Sequence, residues 1–300
     1  MASTSLTAQK NLAECSSFAS VKEPCTLHRK FCYNFPMSKS TSLSQIKAVL
    51  LDLDGVLYIG DQAIPGAVDA VGQLRQHGFK LAGLTNTTTQ SRRVIVEKLA
   101  TLGFDLGEED IATPASLAVQ AIGEKTARLY VRDALLEDFQ DVRISETSPD
   151  VIVMGDIGGE GYPPETLREI FAFMMDGSQL LALHKNRFWQ KPDGLHLDLG
   201  TFVAAIEYAT GKQATVVGKP SADFFHGVCH ALDVKPDEAL MVGDDVESDV
   251  AGALHAGLHA VLVETGKYRQ SFVENYLKES GIHPDRQLAS IADLPGQLIK

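Results

Sequence analysis

The amino-acid sequence predicts an α/β protein organised on a parallel sheet, with a second α/β module inserted into it. Three observations carry this: short apolar runs alternate with stretches of helical periodicity, the connections are short, and several apolar runs end abruptly in polar residues.

The first run, Ala48-Val49-Leu50-Leu51, breaks into Asp52-Leu53-Asp54-Gly55. A continuous apolar run reads as a strand buried on both faces, and unpaired carboxylates are not stable inside a sheet, so Asp52 and Asp54 mark where it emerges. At i and i+2 the two acids start on one side of an extended segment. Like charges so close raise each other's pKa unless a cation lies between them, and a hard divalent ion such as Mg2+ takes such oxygen ligands. Taken alone, the same residues also fit a strand ending in a solvated acidic turn.

Pro65-Gly66 then opens a helix in which Val68, Val71 and Leu74 recur at helical spacing. The next strand, 79–84, stops at Thr85-Asn86-Thr87-Thr88-Thr89, and a helix follows over 91–102. From residue 115 to 213 the alternation continues with its own set. Helices are expected near 115–122, 134–139, 164–175 and 199–209, with strands at 128–131, 151–154 and 179–183. The first pattern resumes at 214: strands at 215–217, 238–242 and 260–263, helices at 222–232 and 246–256, and a last helix over 291–299.

Residues 1–44 are a tail rich in Ser and Thr, with five Lys/Arg against two Glu, a net of +3 that leaves −15 on the remainder. This composition fits either an organellar transit peptide (plastid or mitochondrion) or a disordered cytoplasmic extension, and Met37 offers a later start. Three of the four cysteines lie in the tail, so no disulfide framework is expected. Cys25, His28 and Cys32 match no closed four-ligand zinc spacing. The acidic body disfavours nucleic acid and anionic lipid as partners. No apolar run approaches the roughly 20 residues that cross a bilayer.

Four polar strand ends remain: Asp52/Asp54, Thr85/Asn86, Lys219 and Asp244/Asp245. In an open parallel sheet they converge beyond the carboxyl ends of the strands, where ligands bind. There Asp52 can attack phosphorus as a nucleophile, and Asp54 can protonate the leaving oxygen and then deprotonate water. Thr85 and the Asn86 amide can donate to phosphate oxygens, and Lys219 adds positive charge. Asp244, with Asp52 and the main-chain carbonyl of Asp54, completes an oxygen-rich Mg2+ site. One helical turn apart, Asp245 and Asp249 offer a holder for metal-bound water. Each residue also has an ordinary role: a turn or N-cap for Thr85-Asn86, a solvated loop for Lys219, a helix N-terminus for Asp244-Asp245. His184, Arg187 and Trp189 read as surface or packing residues, while His184 to Arg187 is the segment expected to face the site from the inserted module. His226, His230, His255 and His259 are assigned no chemistry.

The order Asp52-Leu-Asp54-Gly-Val, Thr85-Asn86, Gly218-Lys219-Pro220 and Gly243-Asp244-Asp245-x-x-x-Asp249 resembles the four motifs of the haloacid dehalogenase (HAD) superfamily. The insertion between the second and third resembles the large α/β C2 cap of subclass IIA, the NagD-like phosphatases. Leu195 to Thr210 and Thr265-Gly266-Lys267-Tyr268 extend the match, which spans about 46–270. The resemblance implies a Rossmann-like core with a mobile cap, Mg2+ dependence, and hydrolysis of a small phosphate ester, phosphoramidate or pyrophosphate through an aspartyl-phosphate. It also implies pairing of two copies through the cap. Because Asp54 is present, the resemblance favours phosphate chemistry over dehalogenation, whose leaving halide needs no proton. A phosphotransferase, and a binding protein on the same fold, are the alternatives.

Overall fold

A computed structural model of the chain describes residues 43–299, apart from 159–160 and 192–193. The readings made for the tail, with Cys25, His28, Cys32 and Met37, lie outside the described residues. The fold begins slightly earlier than expected: Leu43–Gln45 is a 3-10 turn, and Leu43 is buried.

The first sheet has six parallel strands. Ala48–Asp52 lies between Lys80–Leu84 and Ala239–Gly243, with Ile111–Ala112 outside the former and His259–Val263 and Arg286–Leu288 outside the latter. Every residue of Ala48–Asp52, Ala239–Gly243 and His259–Val263 is buried, as a sheet covered on both faces requires. The side chains divide with period 2. Ala48, Leu50, Met241 and Leu262 face the helices Pro114–Ile122 and Ala222–Ala231, while Val49, Leu51, Val242 and Val263 face Ala67–Gln76 and Arg92–Thr101. A fully buried Leu or Val contributes about 2 kcal/mol, so this two-sided packing fixes the register of the central strand and the place where its acids emerge.

The second sheet is also parallel, ordered Thr215–Val216, Gln179–Ala182, Val151–Met154, Thr126–Tyr130, Arg143–Ile144. Ile152, Met154, Leu180 and Ala182 pack against Pro164–Met175 and Leu199–Thr210. On the other face Val151, Val153, Leu181 and Leu183 merge with the core under the first sheet, through Leu117, Ala118, Phe224 and Phe225.

Several expectations are corrected. Residues 215–216 pair with Leu181 and Ala182 in the second sheet, not the first. The helix over 246–256 divides into a π-helical turn, Val246–Ala251, and Gly252–His255. His259–Val263 is not the last strand, since the helix Gln270–Ser280 and the strand Arg286–Leu288 follow it. Two hairpins, Tyr58–Ile59 with Gln62–Ala63 and Phe188–Lys191 with Gly194–Leu197, have no counterpart in the sequence reading. Among the described residues no helix is long and apolar enough to cross a membrane.

Candidate active site

The carboxyl ends of the first sheet's strands bring the polar residues together. Asp52 closes its strand and is 5 % exposed. Lys219, on the loop before Ala222–Ala231, is 4 % exposed and places its ammonium 2.5 Å from Asp52 Oδ1 and 2.8 Å from Asp249 Oδ1. Burial pulls the Lys219 pKa down, but the two carboxylates outweigh it and hold the ammonium protonated. Burial pushes the Asp52 carboxyl up against the pull of Lys219, and pushes Asp249 up to about 6.

Asp244 is buried at the end of Ala239–Gly243. Its Oδ2 accepts the main-chain N–H of Lys267 at 2.6 Å, while its Oδ1 is buried with no hydrogen-bond partner. The strand end is seated by two glycines with positive φ, Gly55 at 98° and Gly266 at 60°. A Cβ on either would stand 2.0 Å from Asp244 Oδ2, so neither position can carry a side chain without displacing that carboxylate.

Asp52, Asp244 and Asp249 each offer an oxygen within 4.8 Å of the others. Lys219 pairs directly with two of these three buried carboxylates, Asp52 and Asp249, and Oδ1 of the third, Asp244, has no donor. Such an excess of buried negative charge is costly unless a cation offsets it, and all-oxygen donors suit Mg2+. The residues present therefore fit the ion. Asp249, expected only to hold metal-bound water, belongs to this cluster directly. The carboxyl of Asp54 stands apart at an exposed position, where the residue bridges to Tyr58. Burial, then the charges of Asp54 and Asp52, push the Tyr58 phenol up to about 12.

The Thr85 hydroxyl is buried and donates to Thr87 Oγ1 at 3.0 Å, while Thr87 N–H donates back to Thr85 Oγ1 at 3.1 Å. Asn86 is turned to the Lys219 loop: Lys219 N–H donates to Asn86 Oδ1 and Asn86 Nδ2 donates to the Lys219 carbonyl, both at 2.8 Å. The sequence reading aimed this amide at phosphate, whereas the structure uses it to hold the lysine loop.

Two cavities flank the cluster. One, of about 780 Å3, is lined by Lys185, Asn186 and Arg187 together with Lys219, Asp245 and Lys267. The other, of about 350 Å3, lies between Asn86 to Thr89 and the loops of the second sheet that carry Asp156, His184 and Asp198. The segment 184–187 thus lines both cavities, His184 the smaller and Lys185 to Arg187 the larger. His184 is 5 % exposed, and burial holds its imidazole below the usual pKa against the charges of Asp198 and Asp156. The side chain of Trp189 is outside the described residues.

Sequence reasoning missed Lys267. Burial lowers its pKa, but Asp52, Asp244 and Asp249 raise it further, leaving a second protonated lysine at the mouth. Its signal was present: Glu264-Thr265-Gly266-Lys267 is one more polar break after an apolar strand.

Comparison with known proteins identifies the family. The haloacid dehalogenase-like hydrolase family matches residues 49–144, and the HAD-hydrolase-like family matches 216–294. The human haloacid dehalogenase-like hydrolase domain-containing protein 2 is 42 % identical over 228 residues, covering 75 % of this chain and 87 % of its own. The phospholysine phosphohistidine inorganic pyrophosphate phosphatase of Xenopus laevis is 40 % identical over 235 residues, covering 75 % and 86 %. Among solved structures, NagD from Escherichia coli K-12 superposes with a TM-score of 0.72 at 24 % identity, covering 83 % of this chain and 98 % of its own, a likeness of fold. The two family matches include every polar strand end described above, and with relatives of this identity over three quarters of its length the chain belongs to the haloacid dehalogenase-like hydrolases, on a fold like that of NagD.

Proposed function

We propose that the chain is a Mg2+-dependent phosphatase of small phosphorylated metabolites, working through a phospho-aspartate on Asp52. The observation that carries this reading is the Lys219 ammonium fixed between Asp52 and Asp249, beside the partnerless oxygen of Asp244. A strand-end carboxylate held by a buried cation is oriented but not free to swing, which a nucleophile for in-line displacement requires.

Asp52 attacks phosphorus, and the bond from phosphorus to the leaving oxygen breaks. Asp54, at its exposed position two residues on, gives that oxygen its proton. It then takes a proton from a water that attacks the phospho-aspartate, which releases phosphate and restores both carboxyls. Lys219 counters charge on the phosphoryl group, and the Thr85–Thr87 turn orients the loop that meets its oxygens. Asp52, Asp244 and Asp249 would hold Mg2+, which when bound screens the nucleophile from the phosphoryl charge. The flanking cavities, of about 350 and 780 Å3, suit small molecules.

The test is phosphate release from p-nitrophenyl phosphate with Mg2+ or EDTA, for wild type and Asp52→Asn. The reading requires Mg2+-dependent release that the substitution abolishes. Absence of release from folded wild-type protein would overturn it, and diversion of phosphate to added alcohols would mark a phosphotransferase.

A further inference from the structure

The helix Arg92–Thr101 is not capped from within its own stretch of chain. It opens on Arg92 and Arg93, two cations at the positive end of the helix dipole, and its first turn holds no acid. Ser91 stands at the N-cap in an extended conformation, yet its side chain takes no hydrogen bond from the helix. What the local sequence lacks comes from 46 positions further on, in the inserted module. Ser91 Oγ donates to Glu137 Oε1, and Arg92 N–H, one of the donors left over at any helix start, donates to both carboxylate oxygens of Asp138 at 3.2 Å.

Burial on either side holds the two acids in place. They belong to the 3-10 turn Asp133–Phe139 that follows the strand Thr126–Tyr130, and the flanking Leu135 and Phe139 are buried in the apolar cluster shared by the two sheets. Ser91 is buried as well. The guanidinium of Arg93, whose Nε and Nη2 each lie 3.4 Å from Glu137 Oε2, is exposed, and such a pair contributes little. The contacts that count are those of the Ser91 hydroxyl and the Arg92 main chain. Both lie at the far end of residues 85–91, whose near end is set by the Thr85–Thr87 turn and by the grip of Asn86 on the Lys219 loop. The core thus holds this loop at one end and the inserted module at the other. A helix start that breaks the local rules and is compensated from a distance is a mismatch that proteins keep at functional sites.

We propose that Glu137 and Asp138 are positioning residues for the phosphoryl group: the inserted module supplies the missing cap of Arg92–Thr101 and so sets the loop 85–91 that meets the phosphate oxygens. The inference rests on the phosphatase reading, and its test separates the two. With Mg2+ present, Asp138→Ala lowers kcat/KM about tenfold, the size of a lost helix cap. The fall is the same for p-nitrophenyl phosphate and inorganic pyrophosphate, because the loop meets the phosphoryl group and not what it is attached to. Asp138→Asn, which keeps an acceptor for Arg92 N–H, restores most of the activity. Ser91→Ala and Glu137→Ala each lower kcat/KM about threefold and together lower it no further, as two halves of one contact do. This pair carries the test should Asp138→Ala misfold. A lower melting temperature with kcat/KM per folded molecule unchanged overturns the proposal, and so do independent effects of Ser91→Ala and Glu137→Ala that multiply.

An equilibrium arm does not depend on turnover. Inorganic phosphate with Mg2+ raises the melting temperature of Asp52→Asn, and the phosphate concentration for half of that rise increases about tenfold when Asp138→Ala is added, but less than twofold with Asp138→Asn. The Mg2+ concentration that acts half-maximally without phosphate stays the same in all three. An unchanged phosphate midpoint beside unchanged kcat/KM overturns the positioning role and leaves the phosphatase intact. Absence of aryl-phosphate hydrolysis by wild type, with a phosphate response that Asp138→Ala still weakens, overturns only the phosphatase. A phosphate response missing from Asp52→Asn altogether takes phosphate away from this loop and overturns the inference with it.

Discussion

The side chain of Asn86 holds the main chain of Lys219 by both its N–H and its carbonyl, each at 2.8 Å, across 133 positions of sequence. The two residues follow different strands, Lys80–Leu84 of the first sheet and Thr215–Val216 of the second. Asn86→Ala leaves a main-chain donor and acceptor unmet, at a cost of about 2 kcal/mol. The expected outcome is a fall in kcat/KM of about tenfold or more, because a misplaced Lys219 no longer fixes Asp52. Asn86→Asp does no better, since a carboxylate would face the Lys219 carbonyl. Steady-state kinetics and thermal melts of both variants check this.

Lys219 itself stabilises the fold as well as the chemistry. Lys219→Met strands two buried carboxylates, and removing one partner of a buried ion cluster costs about 3–5 kcal/mol. At roughly 2–4 °C per kcal/mol for a chain of this size, the melting temperature falls by about 10 °C. The fall shrinks at low pH, where Asp249, already pushed up to about 6, takes a proton and leaves less uncompensated charge. Calorimetry at two pH values reads the effect directly.

Gly55 and Gly266 predict how the cation site fails. Gly55→Ala or Gly266→Ala sets a methyl 2.0 Å from Asp244 Oδ2 at a positive φ, so Asp244 must move. Far-ultraviolet circular dichroism stays unchanged, while the Mg2+ concentration that raises the melting temperature half-maximally rises at least tenfold. An unaltered Mg2+ titration in either variant would remove Asp244 from the cation site.

Far from the site, His259 and Asp285 form a pH-dependent tie. His259 Nδ1 lies 3.3 Å from Asp285 Oδ2, which also accepts Ala260 N–H at 2.9 Å. The hydrogen bond with Asp285 raises the His259 pKa despite burial; burial raises Asp285, but its bonds with His259 and Ala260 outweigh this and lower it. The histidine's stabilising contribution is therefore complete below its unfolded value of about 6.5 and lost as pH rises through its folded value. The aspartate's contribution is complete above about 3.9 and lost as pH falls through its folded value. For a partly screened pair about 1 kcal/mol is at stake. Between pH 6 and 8.5 wild type loses more stability than Asp285→Asn, whose melting curve is the flatter of the two.

Much of this architecture was legible. The runs ending at Asp52, Leu84 and Gly243 carry continuous apolar character because both faces of the sheet are covered, and burial of that kind writes itself into composition. Thr215–Val216 was assigned to the wrong sheet because two residues carry no periodicity and their pairing is decided by Leu181 and Ala182, far away in sequence. The amphipathic helix Gln270–Ser280 buries only Val273, so its apolar stripe is faint. In the site, the types and order of Asp52, Lys219 and Asp244 pointed to phosphate and metal chemistry. The partner of each was hidden: Asn86 reads as a generic turn residue, and the buried pairing of Asp249 with Lys219 depends on a π-helical turn that spacing for an ideal helix does not anticipate.

One apolar cluster runs from Leu50 and Met241 through Leu117 and Phe225 to Val153 and Leu183, joining the two sheets. The inserted module is therefore not a detachable accessory. Cutting it out would bare the flank of the first sheet to water, and the excised piece would lose half of its own support. Heat should find no seam to open: the body of the protein melts in a single cooperative step, and a lesion in either sheet is felt by the whole.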